Sequence, residues 1–86
     1  MPRELKEERL NNFLAVYEKK LRHSVKNHPE LYNWPDGLTT EEHCTRMRHA
    51  IQRGSYLATG PAFSYTCKEL GLAPVRETIE AYLMGY

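Results

Sequence analysis

Histidine and cysteine are the side chains of this sequence best suited to bind a metal or attack a substrate, and the chain has 4 histidines and 2 cysteines. They are His23, His28, His43, His49, Cys44 and Cys67. A zinc site on a helix usually places two ligands four residues apart, and no pair here has that spacing. The cysteines form no C-x-x-C pair and are too few for a disulfide framework. We therefore expect two buried free thiols and no metal site.

Sequence motifs for catalysis are absent as well. The chain has no phosphate-binding P-loop, no G-x-G-x-x-G and no G-x-S-x-G nucleophile elbow. Its carboxylates stand at the starts of predicted helices or at exposed positions, where solvation and the helix dipole account for them. The sequence therefore predicts a protein that is not an enzyme and that needs no cofactor.

Basic side chains at helical spacing form a second chemical feature, and phosphate binding is the chemistry that suits them. Arg46, His49 and Arg53 follow each other at steps of three and four residues, so they form one stripe along a helix. Lys68 and Arg76 join this stripe if the last three helices pack as one unit. We predict these five residues as a nucleic-acid-binding face, because cationic side chains contact phosphates.

A second basic segment, KKLRHSVKNH, has no acidic residue between Glu18 and Glu30. One interpretation is that this segment binds phosphates or an acidic protein. The other is that it is the solvated cationic end of a helix. The formal net charge is +1, from 12 basic and 11 acidic residues. That balance argues against a broad electrostatic binder of nucleic acid but leaves room for a local basic patch.

Aromatic side chains form a third feature, with 6 tyrosines and 1 tryptophan in 86 residues. Rings of this kind anchor protein interfaces, and in loops or at helix edges they lie half buried with the polar group in water. The residues predicted to form a partner interface are Tyr17, Tyr32, Trp34, Tyr56 and Tyr82.

Four helices are predicted to position these groups in a single domain over residues 1–86. The predicted helices span about 3–27, 40–53, 61–70 and 74–84, with a loop over 28–39. Thr39 and Glu42 have the spacing of a capping box, and Gly54 supplies a stop for the second helix. Pro61 and Pro74 suit the first positions of the last two helices. The expected fold is all-α: a long N-terminal helix, then a compact three-helix unit that ends in a hairpin.

The first predicted helix carries one apolar stripe with steps of three and four residues. The stripe consists of Leu10, Phe13, Leu14, Tyr17, Leu21 and Val25. This helix is much longer than the other three, so we expect part of the stripe to be buried against a second copy of the chain. The sequence therefore predicts a homodimer through the N-terminal helix.

The segment GPAFSYTCKELGLAPVRETIEAYL carries the hairpin. Cys67, a small residue, stands four positions before Gly71, and Leu70 and Leu72 flank the glycine. In these features residues 63–83 resemble the helix-turn-helix class of DNA-binding domains. The resemblance implies that the element beginning at Pro74 is a recognition helix for the major groove.

The same segment departs from that class in its last helix. The tight form of the class has apolar residues six and nine positions after the glycine, where this chain has Glu77 and Glu80. The apolar residues here are Val75, Ile79 and Leu83, which we expect to face inward. A hairpin that only completes the core is therefore the other interpretation of the segment.

Two functions are consistent with these features. The first is a small, non-enzymatic DNA-binding regulator or accessory protein, in the style of the short proteins of bacteriophages and mobile elements. The alternative is a protein–protein interaction module that binds and inhibits or adapts a host protein. No apolar run is long enough to span a membrane and no signal-peptide core follows Met1, so we expect a cytoplasmic protein without a membrane partner.

Overall fold

The computed structural model describes residues 5–31, 39–56 and 60–85, and within these ranges it contains four α-helices and no β-strand. The helices are α1 (Glu7–Asn27), α2 (Thr40–Arg53), α3 (Pro61–Glu69) and α4 (Arg76–Leu83), and a 3-10 helix (Pro29–Leu31) follows α1. The all-α prediction is confirmed. The first helix begins at Glu7, later than predicted, and the last begins at Arg76, two residues after Pro74.

Local capping interactions set the ends of α2. The Thr39 hydroxyl accepts a hydrogen bond from the Glu42 amide at 3.1 Å, and the Glu42 carboxylate accepts one from the Thr39 amide at 3.1 Å, so the predicted capping box is present. At the other end, Gly54 has φ 76°. The amide of Ser55 donates to the carbonyl of Ala50 at 2.9 Å, which completes a Schellman motif.

A glycine with a positive φ also ends α3. Gly71 has φ 71°, which glycine adopts without a steric penalty. The Leu72 amide donates to the Cys67 carbonyl at 2.8 Å and the Gly71 amide donates to the Lys68 carbonyl at 3.2 Å. This pair of bonds defines a Schellman motif, and the prediction for residues 70–72 is confirmed.

The long helix α1 is the element on which the other helices pack. Its contact with α3 is the most extensive, and α2 and α4 pack on it as well. A backbone hydrogen bond from the Lys6 amide to the Leu83 carbonyl, 2.8 Å long, joins the start of α1 to the end of α4. The shorter helices are thus arranged around α1.

The apolar stripe of α1 is covered within this one chain. Its buried side chains are Leu10, Phe13, Leu14, Tyr17 and Leu21, and Val25 is partly buried against them. The sequence argument for a homodimer required part of this stripe to lie uncovered. The helices of one chain already cover most of the stripe, so this argument loses its basis, and the homodimer itself stays a prediction.

Phe63 of α3 stands at the centre of the core. Its ring centroid lies 5.6 Å from that of Phe13, 6.2 Å from that of Tyr17 and 6.2 Å from that of Tyr56. Tyr17 and Tyr56 are each only 4% exposed. These two tyrosines were predicted to contact a partner, but their rings fill the core of the monomer instead, so we remove them from that interface.

We expect the substitution Phe63→Ala to lower the free energy of unfolding by about 3–5 kcal/mol, because it deletes a ring that touches three others and leaves a cavity. Tyr65→Ala is the matched control, since Tyr65 lies on the same helix and is 47% exposed. It should change stability by no more than about 0.5 kcal/mol. Urea unfolding monitored by circular dichroism measures both, and equal losses would contradict the assignment of Phe63 to the core.

A pair of threonine substitutions tests the start of α2. Thr39→Ala removes the cap and should destabilise the protein by about 1 kcal/mol. Thr45→Ala should be neutral or slightly stabilising, since the Thr45 hydroxyl only donates to the Glu41 carbonyl at 3.1 Å within the helix. Thermal melts of both variants measure the loss of stability. A loss for Thr39→Ala that is no greater than the loss for Thr45→Ala would contradict a stabilising role of the capping box.

Candidate nucleic-acid interface

The outward side of α2 carries the predicted basic stripe. Arg46, His49 and Arg53 are all exposed, whereas Ile51 on the same helix is fully buried. The helical period therefore places these three side chains together towards solvent, as the sequence predicted. We call Arg46, His49 and Arg53 the α2 face.

Arg76, the first residue of α4, lies at the end of the α2 face. Its guanidinium donates a hydrogen bond to the carbonyl of Gly54, the residue after Arg53. Its Nε donates to Glu80 at 3.3 Å, and its guanidinium carbon lies 5.0 Å from the centroid of the Tyr56 ring. Arg76 thus ties the start of α4 to the end of α2 through the bond to Gly54 and the contact with the Tyr56 ring, while its bond to Glu80 lies within α4.

Lys68 lies on another helix, exposed on α3. The five predicted nucleic-acid-binding residues therefore lie on three helices: three form the α2 face, Arg76 lies at the end of that face, and Lys68 lies on α3.

Acidic side chains near the α2 face lie at its margins. Glu42 is engaged in the capping box of α2, and Glu80 pairs with Arg76. Glu77 is exposed in the first turn of α4. The positive charges of the α2 face therefore have no carboxylate between them along the helix, whereas α4 presents a carboxylate to solvent.

The hairpin of α3 and α4 is joined by residues 70–75. Ile79 and Leu83 of α4 are fully buried, as expected, but Val75 is 51% exposed. The prediction that Val75 faces inward was wrong, because α4 begins only after it and its backbone is extended there. The exposed groups of α4 include Arg76, which is held by Gly54 and Glu80, and the acidic Glu77.

Of the remaining residues of the predicted partner interface, Tyr82 is the one that lies within the described part of the chain. Tyr82 is half-buried, its hydroxyl accepts a hydrogen bond from Asn12, and Arg9 lies 4.8 Å from its ring centroid. Tyr32 and Trp34 lie outside the described residues. Within the described ranges, the exposed aromatic residue is Tyr65, whose spacing from buried Phe63 and Cys67 on α3 places it outward.

Both cysteines are free, and Cys44 lies in a groove of about 500 Å³ between α1 and α2. Burial, together with the nearby carboxylates of Glu18 and Glu41, raises the pKa of the Cys44 thiol to about 11. The thiol is therefore protonated at neutral pH. An activated cysteine nucleophile needs the opposite shift.

The part of the chain that the structure describes contains no cluster of three or more histidine, cysteine or acidic residues that could hold a metal ion. None of its helices is both long and apolar enough to cross a membrane. The fold defines a small all-α protein, and the outward side of its helix α2 is basic. No protein-family model matches the chain, and searches of curated proteins and of solved structures found no match.

The raised pKa predicts slow alkylation of Cys44 with an unusual pH dependence. In a Cys67→Ala background, the rate of reaction with iodoacetamide should rise about tenfold per pH unit from about pH 8 to 10, because the thiolate fraction keeps growing below a pKa of about 11. When the same chain is in denaturant, the rate should level off above the ordinary thiol pKa of about 8.5. A plateau near that value in the folded protein would contradict the assignment.

Proposed function

We propose that this protein is a small, non-enzymatic DNA-binding regulator or accessory protein that contacts duplex DNA through the α2 face. The observation that supports this is the presence of three exposed cationic or ionisable side chains on one side of a capped helix. Arg46 and Arg53 bind phosphates or pair with guanine, and His49 between them supplies a further hydrogen-bonding group.

The geometry of α2 suits this role. It has 14 residues, so it is about 21 Å long, and the major groove of B-DNA is wide enough to admit a helix. The capping box and the Schellman motif hold both ends, so the side chains are presented from a rigid element. Arg76 supports the face by fixing the start of α4 against Gly54.

The helix α4 is the weaker candidate for the DNA-reading element. The helix-turn-helix resemblance would give it that role, but Glu77 is exposed on it and repels phosphates. Arg76 already bonds to Gly54 and Glu80. We therefore assign the hairpin of α3 and α4 to the completion of the core and DNA contact to α2.

The near-neutral charge of the chain sets the expected strength of binding. With a net charge of +1, affinity must come from the local face rather than from the whole molecule. Non-specific dissociation constants for such contacts are about 10⁻⁴–10⁻⁶ M at physiological salt. We expect binding in that range for an arbitrary duplex, and tighter binding only for a sequence that pairs with the arginines.

Two double charge reversals of equal size test the proposal. Arg46→Glu/Arg53→Glu should weaken binding to a fluorescent duplex of about 20 base pairs at least tenfold, because it replaces two phosphate contacts with repulsion. Lys19→Glu/Lys26→Glu changes the net charge equally on α1 and should keep most of the affinity. Anisotropy at about 50 and about 200 mM salt gives both the affinity and its salt slope.

The single variant Arg53→Ala refines this test. It should make the negative slope of log K against log salt shallower by about 0.9, because one phosphate contact on duplex DNA contributes that much. Absence of duplex binding by the unaltered protein at the lower salt would rule the proposal out. Equal losses in the two charge-reversed variants would mean that the net charge, and not the α2 face, accounts for the binding.

A further inference from the structure

A second surface lies in a groove between α1 and α3, on the other side of α1 from the side that α2 covers. The groove has a volume of about 540 Å³ and is lined by Lys19, Lys20, His23 and Tyr65. The side of α1 that faces α2 carries Leu14 and Glu18 instead. The groove and the α2 face are thus separate surfaces.

The cations of this groove come from consecutive turns of α1. Lys19 and His23 are exposed and stand four residues apart, so they lie on one side of the helix, and exposed Lys26 continues it by another turn. His23 forms a hydrogen bond with Asn27 at 2.8 Å. Lys19 and Lys26 thus form a positive edge along α1, and His23 lies between them.

Lys20 forms the floor of the groove. Its ammonium lies 2.7 Å from the Glu69 carboxylate, and its side chain is 26% exposed. The hydrogen bond from Lys20 holds the pKa of the Glu69 carboxyl below its ordinary value. This ion pair joins α1 to the end of α3, and it leaves Lys19 as the outer cation of the groove, with exposed Lys26 two turns further along α1.

Tyr65 is the unusual member of the set. Its ring is 47% exposed, whereas Phe63 and Cys67 on the same helix are buried, so the core does not require an aromatic residue here. An exposed ring beside a row of cations matches what single-stranded nucleic acid requires, because bases stack on aromatic faces while cations track the phosphates. A duplex keeps its bases stacked inside, and an acidic peptide would use the cations but not the ring.

We propose that the groove between α1 and α3 binds single-stranded nucleic acid, with Tyr65 stacking on a base and Lys19 and Lys26 contacting the neighbouring phosphates. This site is independent of the α2 face. The protein then has one surface for duplex DNA and a different one for a separated strand.

The test uses a fluorescent oligothymidine of about ten nucleotides with the full chain. Tyr65→Ala should weaken binding about tenfold or more, since stacking of one base contributes about that much. Tyr65→Phe should retain it, because phenylalanine keeps the aromatic face. Lys19→Ala should make the negative slope of log K against log salt shallower by about 0.7, because one phosphate contact on a single strand contributes that much.

The two charge-reversed variants separate this site from the α2 face. Lys19→Glu/Lys26→Glu should lose oligothymidine binding and keep duplex binding, and Arg46→Glu/Arg53→Glu should do the reverse. If only duplex binding fails in the unaltered protein, the α2 proposal falls and this one stands. No binding of oligothymidine at about 50 mM salt, or equal affinity of Tyr65→Ala, would overturn the groove proposal.

A competition experiment tests whether the groove binds an acidic protein instead of a nucleic acid. Poly-glutamate at the same concentration of negative charge should displace oligothymidine poorly, because it offers no ring to Tyr65. Displacement as effective as that by unlabelled oligothymidine would also overturn the proposal, since the groove would then recognise acidic chains in general. Circular dichroism melts of every variant show whether a loss of binding reflects a loss of folding.

Discussion

The packing of Phe63 against Phe13 and Tyr17 is the contact on which the rest of this structure depends. The helix α1 is amphipathic and cannot bury its apolar stripe alone, and α3 supplies the largest part of the cover. Once α3 lies across α1, α2 and α4 take the positions that remain beside it. The outward sides of α2 and of the groove between α1 and α3 are therefore consequences of how one ring is buried.

Features governed by local rules could be predicted from the sequence. The capping box at Thr39 and Glu42 and the glycine stops at Gly54 and Gly71 involve residues at most five apart, so short patterns determine them. The degree to which the stripe of α1 is covered could not be predicted, because it depends on helices distant in the chain. Tyrosine is ambiguous for the same reason: Tyr56 is buried and Tyr65 is exposed, although both are amphipathic.

The candidate surfaces also combine features that the sequence could predict with features that it could not. The helical period alone predicted that Arg46, His49 and Arg53 share an exposed side. The role of Arg76 could not be predicted, since its partner Gly54 is 22 residues away in the chain. Tyr65 could have been found, because its spacing from Phe63 and Cys67 on a helix that begins at Pro61 already places it outward.

A net charge of +1 is compatible with two basic surfaces because the charges are segregated. Between the α2 face and the groove, Arg22 pairs with Glu18 at 2.9 Å and with Glu41 at 3.6 Å, so two carboxylates and one guanidinium separate the two basic surfaces. The molecule measures 37 × 25 × 19 Å, and at physiological salt charges are screened beyond about 8 Å. A phosphate at either surface therefore senses the nearby cations far more than the acidic residues across the molecule. Local arrangement, and not total charge, decides what each surface can bind.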